Sequence, residues 1–397
     1  MRMPRKSLLK LSLTASVVFS LVAATATSDA PVQFGDPLSG LTSSQLAAFN
    51  DGKTEFATAE EVDEGLGPVF NGRSCVECHS VPVVGGGSER LVTRFGTITN
   101  GVFDPLAQYG GSLIQDHAIT RDDGSVHDFS AEDVPRQATI VAHRRTPPLF
   151  GLGLVDAVPD QTFYELAAAE ARRGDGTAGR VAVVNNAATS SQSVGKFGWK
   201  NQVPSLFVFS GDAYLNEMGI TNPLFPNENC PNGDCKQLKF NPRPDLNDLG
   251  DGVEEFNDFM TMLAAPPRGP KNADVEVGEA VFDQIGCDSC HTPTLHTGSS
   301  AIASLDHATF HPYSDFLLHD MGNLGDGISQ GAAGGRDMRT APLWGLRMIT
   351  KFLHDGRAST IGDAILAHDG QGRAARDRFN ALDANSKAKL LAFLNSL

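Results

Sequence analysis

Two short runs in the sequence hold residue types that could bind an iron cofactor. Both have the pattern C-x-x-C-H, and they begin 212 positions apart, with key residues Cys75, Cys78 and His79 in the first and Cys287, Cys290 and His291 in the second. In this pattern the two thiols bond the vinyl groups of a haem, and the adjacent imidazole ligates the iron. The sequence therefore predicts two covalently bound c-type haems, with His79 and His291 as iron ligands.

A single C-x-x-C-H run could also be a redox dithiol or half of a zinc site. The second copy argues against both alternatives. In each copy a phenylalanine also stands five positions before the first cysteine, Phe70 in one and Phe282 in the other. This matched context favours two related haem sites.

A second repeated segment follows each run. The ten residues from Arg145 to Leu154, RTPPLFGLGL, resemble the ten from Arg339 to Met348, RTAPLWGLRM. The match is too long to come from composition alone, so we infer an internal duplication in which each half supplies one haem. The proline-rich stretch 265–270 is typical of a linker and marks the predicted boundary between the halves.

These features predict a mainly α fold with two cytochrome c-like haem domains related by duplication, long loops and few short strands. The N-terminal domain, with an insertion, is predicted at residues 27–268 and the C-terminal domain at residues 269–397. A helix is expected to start near Thr58, where acidic residues cluster. Further helices are predicted at residues 160–173, 204–218, 253–265 and 386–397. One short strand is predicted at residues 91–99.

The first 26 residues have the order of a secretory signal peptide. Four basic residues precede an apolar run from Leu11 to Ala24, and small residues follow it. The apolar run is shorter than the ~20 residues that a membrane-spanning helix needs. We expect cleavage after Ala26, export to the periplasm or beyond, and no membrane span in the mature chain.

The composition is that of a soluble globular protein, with 41% hydrophobic and 20% charged residues. Loss of the four basic residues with the signal peptide takes the formal charge from -15 to -19. This negative charge argues against nucleic acid as a partner. It could steer a small basic electron-donor protein, although solubility alone also accounts for it.

Two cysteines remain outside the haem runs. Cys230 and Cys235 are separated by four residues. In an oxidising compartment a small disulfide loop is favoured over a free pair or a metal site.

Together the motifs resemble the bacterial di-haem cytochrome c peroxidase superfamily, and in particular its di-haem oxidoreductase branch. Beyond the C-x-x-C-H runs, the resemblance rests on residues 144–159, 197–200, 217–221, 319–322, 339–346 and 352–358. It implies that hydrogen peroxide reacts at the N-terminal haem and that the C-terminal haem relays electrons. It also implies a tryptophan between the two haems, a position that Trp199 matches.

The resemblance further implies an acid/base glutamate downstream of the tryptophan. Glu217 follows Trp199 by 18 positions. Breaking an O–O bond needs an open iron site and a group that moves a proton between the two oxygens. Met218 offers the alternative, because a thioether sixth ligand would close that site. Adjacent helical residues do not point at the same iron, so at most one of the two does so.

At the second haem, relatives place a methionine or a tyrosine where this chain has His368, 14 positions after His354. We predict His291 and His368 as paired axial ligands, with Met321 as the weaker alternative. Paired histidines suit electron transfer and give a lower reduction potential than methionine ligation.

Two further expectations concern anions and cations at the haems. Arg145, Arg339 and Arg357 are predicted to pair with haem propionates, because a guanidinium holds a buried carboxylate in a bidentate fashion. Relatives also bind calcium between the haem domains, and the candidate oxygen donors stand in glycine-containing turns, at Asp175, Asp245 and Asp251.

The predicted function is that of an exported, peroxidase-like di-haem oxidoreductase. Electrons from a small electron-donor protein would enter at the C-terminal haem and reach peroxide at the N-terminal haem by way of Trp199. The alternative is a di-haem electron-transfer cytochrome with both irons six-coordinate and no substrate of its own.

Overall fold

Helices are distributed along the described chain and are separated by long loops and short strands. The structure, a computed structural model, describes residues 31–120 and 128–397, so the predicted signal peptide at residues 1–26 lies outside the described residues. The helices within these ranges are α1 (Ser43–Ala57), α2 (Leu152–Asp156), α3 (Asp160–Arg173), α4 (Leu206–Met218), α5 (Asp251–Met262), α6 (Ala273–Gln284), α7 (Ile361–Leu366), α8 (Arg373–Ala381) and α9 (Ala384–Leu394).

Most helices that the sequence predicts are confirmed. Helix α3 covers the predicted span: Asp160 lies in its first turn and Arg173 in its last, each opposite in sign to the nearby end of the helix dipole. Helices α4, α5 and α9 match their predictions with ends moved by two or three residues. The helix predicted from Thr58 is wrong, because Thr58 caps the end of α1. Helix α1 instead begins at a capping box between Thr42 and Gln45.

The strands are short and form small antiparallel sheets. The largest sheet has the order β3-β2-β5, with Leu91 opposite Arg145, and β2 covers the predicted strand. The strands are β1 (Val69–Phe70), β2 (Leu91–Thr99), β3 (Val102–Asp104), β4 (His117–Ala118), β5 (Ile140–Arg145), β6 (Val183–Asn186), β7 (Ser191–Val194), β8 (Leu295–His296), β9 (Thr309–Phe310), β10 (Leu318–Asp320) and β11 (Asp337–Arg339).

Two helix crossings hold the molecule together, and both depend on a glycine. Helix α1 crosses α5 at Gly52, where an added Cβ would lie 2.1 Å from the carbonyl oxygen of Glu255. Helix α6 crosses α9 at Gly278, where an added Cβ would lie 2.0 Å from the carbonyl oxygen of Lys389. Any other residue would force the two helices of each pair apart.

Each crossing also brings a phenylalanine against a predicted haem-ligating histidine. Phe56 stands one turn after Gly52, and its ring centre is 6.0 Å from that of His79. Phe282 stands one turn after Gly278, and its ring centre is 6.3 Å from that of His291. The structural counterpart of Phe282 is therefore Phe56. The sequence-level match to Phe70 is wrong, since that residue lies in β1 and stacks on His117 instead.

The apolar core is divided in the same way. The larger cluster packs around α1, α4 and α5, and the smaller one around α6 and α9. Among the described residues, helices hold more residues than strands, and every strand except β2 and β5 has four residues or fewer. The mainly α description, the domain boundary and the internal duplication stay predictions.

The predicted disulfide is confirmed, because Cys230 and Cys235 are bonded to each other. It closes a small loop after α4 and involves none of the predicted haem residues. In the described ranges, no helix is both long enough and apolar enough to cross a membrane.

A buried ionic network ties β5 to the loop before β11. The carboxylate of Asp326 accepts from Arg144 at 2.7 Å and from Lys200 at 2.8 Å. All three side chains are at most 4% exposed. The two cations lower the pKa of Asp326 despite its burial. One buried carboxylate therefore serves two buried cations, and Asp337 supplies further negative charge near Lys200.

We expect Asp326→Asn to lower the free energy of unfolding by about 3–5 kcal/mol, because it leaves two buried cations without their anion. Urea unfolding followed by circular dichroism would measure this loss. Arg336→Gln is the control: it breaks a solvent-exposed pair with Asp320 and should cost less than about 1 kcal/mol. Equal losses in the two variants would contradict this account of the network.

Candidate haem centres

The second C-x-x-C-H run places its histidine in a large internal cavity. Cys287–Ser289 forms a 3₁₀ turn directly after α6, and His291 lines the cavity together with both cysteines. The Nδ1 atom of His291 donates to the carbonyl of Tyr313 at 2.9 Å, which leaves Nε2 as the nitrogen available for a metal. Burial lowers the pKa of His291 to about 4, so the ring is neutral, as a ligand must be.

His368 faces His291 across this cavity. It follows α7, and its Nδ1 atom donates to the carbonyl of Ala364 at 2.8 Å, which again leaves Nε2 available. The two ring centres are 6.5 Å apart. Two metal–nitrogen bonds of about 2 Å, plus about 1 Å from each nitrogen to its ring centre, span about 6 Å. An iron atom fits between these rings.

The lining of the cavity suits an apolar macrocycle. Small residues from the start of α8, Gly372, Ala374 and Ala375, form part of one wall. From the second run the cavity extends past Trp199 to Leu206 and Phe209 on α4. Most of the lining side chains are apolar, so a porphyrin ring would be shielded from water here.

Two arginines in the cavity wall have nitrogen atoms without a partner. Arg145 donates from Nη1 to the carbonyl of Lys351, but its Nε atom has no acceptor in the described part of the chain. Arg339 donates from Nε to the carbonyl of Gly198, but its Nη1 atom likewise has none among the described residues. Burial lowers the pKa of Arg339 to about 10 and lowers that of Arg145 too.

These unpartnered cationic atoms match the carboxylates of a haem. A buried guanidinium with an N–H that lacks an acceptor is costly, and a propionate would supply both this acceptor and a directly bonded negative charge. Arg145 and Arg339 occupy equivalent positions in the repeated segment, and both line the same cavity. The chain therefore fits haem at this site.

Arg357, by contrast, is not brought into the cavity. Its Nε atom donates to Asp355 at 2.5 Å, and its side chain is 48% exposed. This guanidinium already has a carboxylate partner of its own and is not placed with Arg145 and Arg339.

Trp199 lies between these two arginines. Its indole Nε1 donates to the carbonyl of Arg145 at 2.9 Å, and its own carbonyl accepts from the backbone N–H of Arg339 at 2.9 Å. The indole lines the cavity, with the buried ring of His354 edge-on at 6.3 Å. The tryptophan is thus held at both its ring and its backbone by the two copies of the repeated segment.

The first C-x-x-C-H run forms a second centre beside α1. Cys75–Glu77 is again a 3₁₀ turn. The Nδ1 atom of His79 donates to the carbonyl of Gly86 at 2.9 Å, so Nε2 is the free nitrogen. Burial lowers the pKa of His79 to about 4. The carbonyl of Pro147 also faces this ring, and Pro147 belongs to the cavity wall.

Glu217 lies in the last turn of α4, close to this first run. Phe209, Ala213 and Glu217 are spaced four residues apart and so share one helix face, and Phe209 lines the cavity. Electrostatic interaction with Cys78 places the Glu217 carboxylate near the haem-attachment thiols. Burial raises the pKa of Glu217, so its proton is held more tightly than in water.

Asn71, which the sequence analysis missed, fixes the Glu217 carboxylate. Its Nδ2 atom donates to Glu217 Oε2 at 2.7 Å, and its Oδ1 atom accepts from the backbone N–H of Asp116 at 3.0 Å. The backbone N–H of Asn71 also donates to the carbonyl of Glu217. No sequence signal pointed to Asn71, because its partner lies 146 positions away.

The two methionines proposed as alternative ligands are placed differently from each other. Met218 is 4% exposed and belongs to the larger apolar core cluster. Met321 lines the cavity near the second run, but the ring opposite His291 is that of His368.

A buried pair next to the second run was also missed. The Nε2 atom of His319 donates to Asp315 at 3.0 Å, and its Nδ1 atom lies 3.6 Å from the sulfur of Cys290. Although burial opposes it, the Asp315 carboxylate raises the pKa of His319 well above its usual value. The sequence allows an orienting role, iron ligation or a place in the core for His319, but it gives no signal for its partner Asp315.

The predicted calcium donors do not come together. Within the described residues, the one group of side chains with metal-ligand spacing is Cys290, Asp315 and His319, which contains none of the three predicted aspartates. Asp175 instead accepts from the backbone N–H and hydroxyl of Thr177, two positions away.

Comparison with known proteins gives one family match and distant structural likenesses. Residues 127–397 match the sequence model of the family described as "Di-haem oxidoreductase, putative peroxidase". Hydrazine synthase of Kuenenia stuttgartiensis, in a xenon-pressurised structure, is 14% identical with a TM-score of 0.41, over 97% of this chain and 100% of that one. A MauG-like protein associated with microbial copper homeostasis is 14% identical with a TM-score of 0.39, over 93% of this chain and 94% of that one. Among curated proteins there is no match.

We expect His368→Gly to convert one of the two haems from low spin to high spin, because it removes one of two facing imidazoles. The electron paramagnetic resonance spectrum of the oxidised protein measures this change. His143→Gly is the control, since His143 lies on the exposed face of β5 and should leave the spectrum as it is. An unchanged spectrum in His368→Gly would remove this residue from the iron ligands.

We expect Arg339→Gln to lower the reduction potential of one haem, because a nearby positive charge disfavours the oxidised, more positive iron. Spectroelectrochemical titration measures the two potentials. Arg357→Gln removes a positive charge outside the cavity and should leave both potentials unchanged. If the two substitutions had equal effects, Arg339 would not be a specific partner of haem.

Proposed function

Because the chain belongs to the di-haem oxidoreductase family, we propose that it is an exported c-type di-haem enzyme that reduces hydrogen peroxide. In this proposal a small electron-donor protein delivers electrons at the centre of His291 and His368. The electrons pass by way of Trp199 to the centre of His79, where peroxide reacts. Bound haem would supply the redox-active iron at both centres.

The observation that carries this proposal is the difference between the two centres. His291 has a second imidazole 6.5 Å away, in an arrangement suited to closed, electron-transferring iron. The ring contact of His79 among the described residues is with Phe56, and a buried carboxylic acid, Glu217, lies near its C-x-x-C-H run. The centre of His291 and His368 is thus suited to electron transfer, and the centre of His79 is suited to a reaction in which Glu217 moves protons.

Glu217 is suited to acid/base work on a bound peroxide. Acting as a base, its carboxylate takes the proton from the oxygen nearer the iron site; acting as an acid, it returns that proton to the departing oxygen. Burial raises its pKa towards the range in which both directions are accessible. The hydrogen bond from Asn71 leaves Oε1 as the oxygen free to handle the proton.

Trp199 supports the passage of electrons between the centres. Its indole is held by a backbone hydrogen bond at 2.9 Å, and its peptide is held by the copy of the repeated segment in the other half. A fixed aromatic ring between two redox centres shortens each electron step. The indole N–H faces a carbonyl, which does not take up a proton, so electron passage here need not involve one.

We expect Glu217→Gln to reduce peroxide turnover by about 10²–10⁴-fold, the usual contribution of a positioned acid/base group. In the wild-type protein the reaction with peroxide should become faster as pH rises through the raised pKa of Glu217, and the variant should lack this rise. Stopped-flow absorbance of the haem bands measures both effects.

Glu228→Gln is the matched control, because burial also raises the pKa of Glu228, to about 7, but that residue lies in the loop after α4. Both variants should retain two haems by pyridine haemochromogen assay. If Glu217→Gln turned over peroxide at the wild-type rate, the catalytic assignment would fail. A wholly low-spin wild-type protein inert to peroxide would favour an electron-transfer cytochrome instead.

A further inference from the structure

Peroxide reduction at a buried carboxylic acid needs a supply of protons from outside. Each turnover follows H2O2 + 2 e− + 2 H+ → 2 H2O, in which the O–O bond breaks and the electrons come from the electron-donor protein. Glu217 can move a proton from one peroxide oxygen to the other, but two further protons must enter before both products leave as water. The residues around Glu217 therefore have to include a path for protons.

The side facing Asn71 does not offer this path. The amide of Asn71 donates to Glu217, and its oxygen accepts from a backbone N–H. Its own carbonyl is occupied by the guanidinium of Arg90. An amide held in this way neither gains nor loses protons near neutral pH. It orients Glu217 but closes this side to proton transfer.

A second pocket, called the polar pocket after the polar side chains in its wall, lies on the neighbouring face of the same helix, and apolar side chains contribute to its wall as well. Val208 and Asp212, one turn apart on α4, line it on one side, and the β6–β7 hairpin lines it on the other. Its volume is about 470 Å³, enough for several water molecules at about 30 Å³ each. The polar groups in its wall come from Asn185, Asn186, Ser190, Ser191 and Gln202.

Asp212 connects this pocket electrostatically to Glu217. The buried guanidinium of Arg94, on β2, interacts with both carboxylates, and the two carboxylates interact with each other. The Asp212 carboxylate also accepts from the side chain of Asn216 at 3.0 Å. Arg94 additionally faces Arg144 and Asp326, and Glu217 also faces Arg90 and Asp116.

We propose that Asp212 is the proton-relay residue of this protein, taking protons from water in the polar pocket and passing them to Glu217 past Arg94. This inference rests on the proposed function, because it gives Glu217 a proton supply for peroxide reduction. Asp212 is suited to the role because it is the carboxylic acid that both lines the pocket and interacts with Glu217. A hydrogen-bonded water can span a gap between two such groups.

The acidity of Asp212 agrees with this assignment. Burial raises its pKa to about 6, although Arg94 opposes the shift. A carboxylic acid in this range is partly protonated at neutral pH and can both give and receive a proton. Because its folded-state pKa is raised, the charged form costs stability as pH rises through about 6. The neutral variant Asp212→Asn is therefore expected to fold at least as stably as the wild type above this pH.

The test is steady-state peroxide reduction by the full-length, di-haem protein with a reduced c-type cytochrome as electron donor. Asp212→Asn should lower turnover by about tenfold or more, because a relay group is expected to contribute less than the about 10²–10⁴-fold of a group that acts on the substrate directly. The substitution should also increase the solvent deuterium isotope effect. Asp212→Glu, which keeps the acid, should restore most of the activity. At pH values where Glu217 is ionised, wild-type turnover should fall as pH rises through about 6, and this fall should be absent from Asp212→Asn.

Asp116→Asn is the matched control. Asp116 also acts electrostatically on Glu217, but its side chain is 52% exposed and lies on the Asn71 side. Its removal should leave turnover and isotope effect unchanged. Equal effects of the two substitutions would mean that Asp212 acts through charge alone and would overturn the relay.

Different outcomes would contradict the proposed function and the proton relay. If the wild-type protein does not reduce peroxide, the proposed function itself is wrong. If the wild type is active, Glu217→Gln is inactive and Asp212→Asn matches the wild type in rate, isotope effect and pH profile, the function stands and the relay is wrong. Thermal unfolding and the haem spectrum of Asp212→Asn separate either outcome from misfolding.

Discussion

The structure depends most on two guanidinium groups that line an apolar cavity and are only partly hydrogen-bonded by the described protein. Arg145 and Arg339 each make one hydrogen bond to a backbone carbonyl and keep another nitrogen without an acceptor in the described chain. Two such guanidinium groups are unfavourable unless an anionic group binds beside them, and in this apolar cavity the rest of the bound molecule must be apolar. Haem, with two carboxylates on an apolar ring, meets both needs, so the cavity is complete only with its cofactor.

The candidate haem-attachment residues stand out in the sequence because their chemistry is local. The C-x-x-C-H runs need only five consecutive residues, and the disulfide needs two cysteines close in the chain. His368 was also accessible, since the resemblance fixed its distance from the His-Asp-Gly-Arg run. In the structure it faces His291 at 6.5 Å. Periodicity predicted α3, α4, α5 and α9 because each has clear end signals or an apolar face.

What the sequence could not predict depends on contacts between distant parts of the chain. Helix α1 was missed because its interior contains Asn50, Asp51 and Gly52, which are typical of a turn. The glycine is there because α5 crosses at that point, and tertiary packing overrides the local preference. Asn71 and Asp212 were missed for a related reason, since one is defined by a partner 146 positions away and the other by a pocket that no short motif describes. Arg357 was overestimated because its own neighbour Asp355 supplies its counter-charge.

The two glycine crossings also set the order in which the molecule can assemble. The α1–α5 crossing pairs residues 43–57 with residues 251–262, so it needs no residue after 262 to form. The α6–α9 crossing needs residues 384–394, at the very end of the chain. A chain that crosses a membrane N-terminus first presents the elements of the α1–α5 crossing before those of the α6–α9 crossing. The helices beside the first C-x-x-C-H run can therefore pack before those beside the second, and a chain that lacks α9 keeps the first crossing while it loses the second.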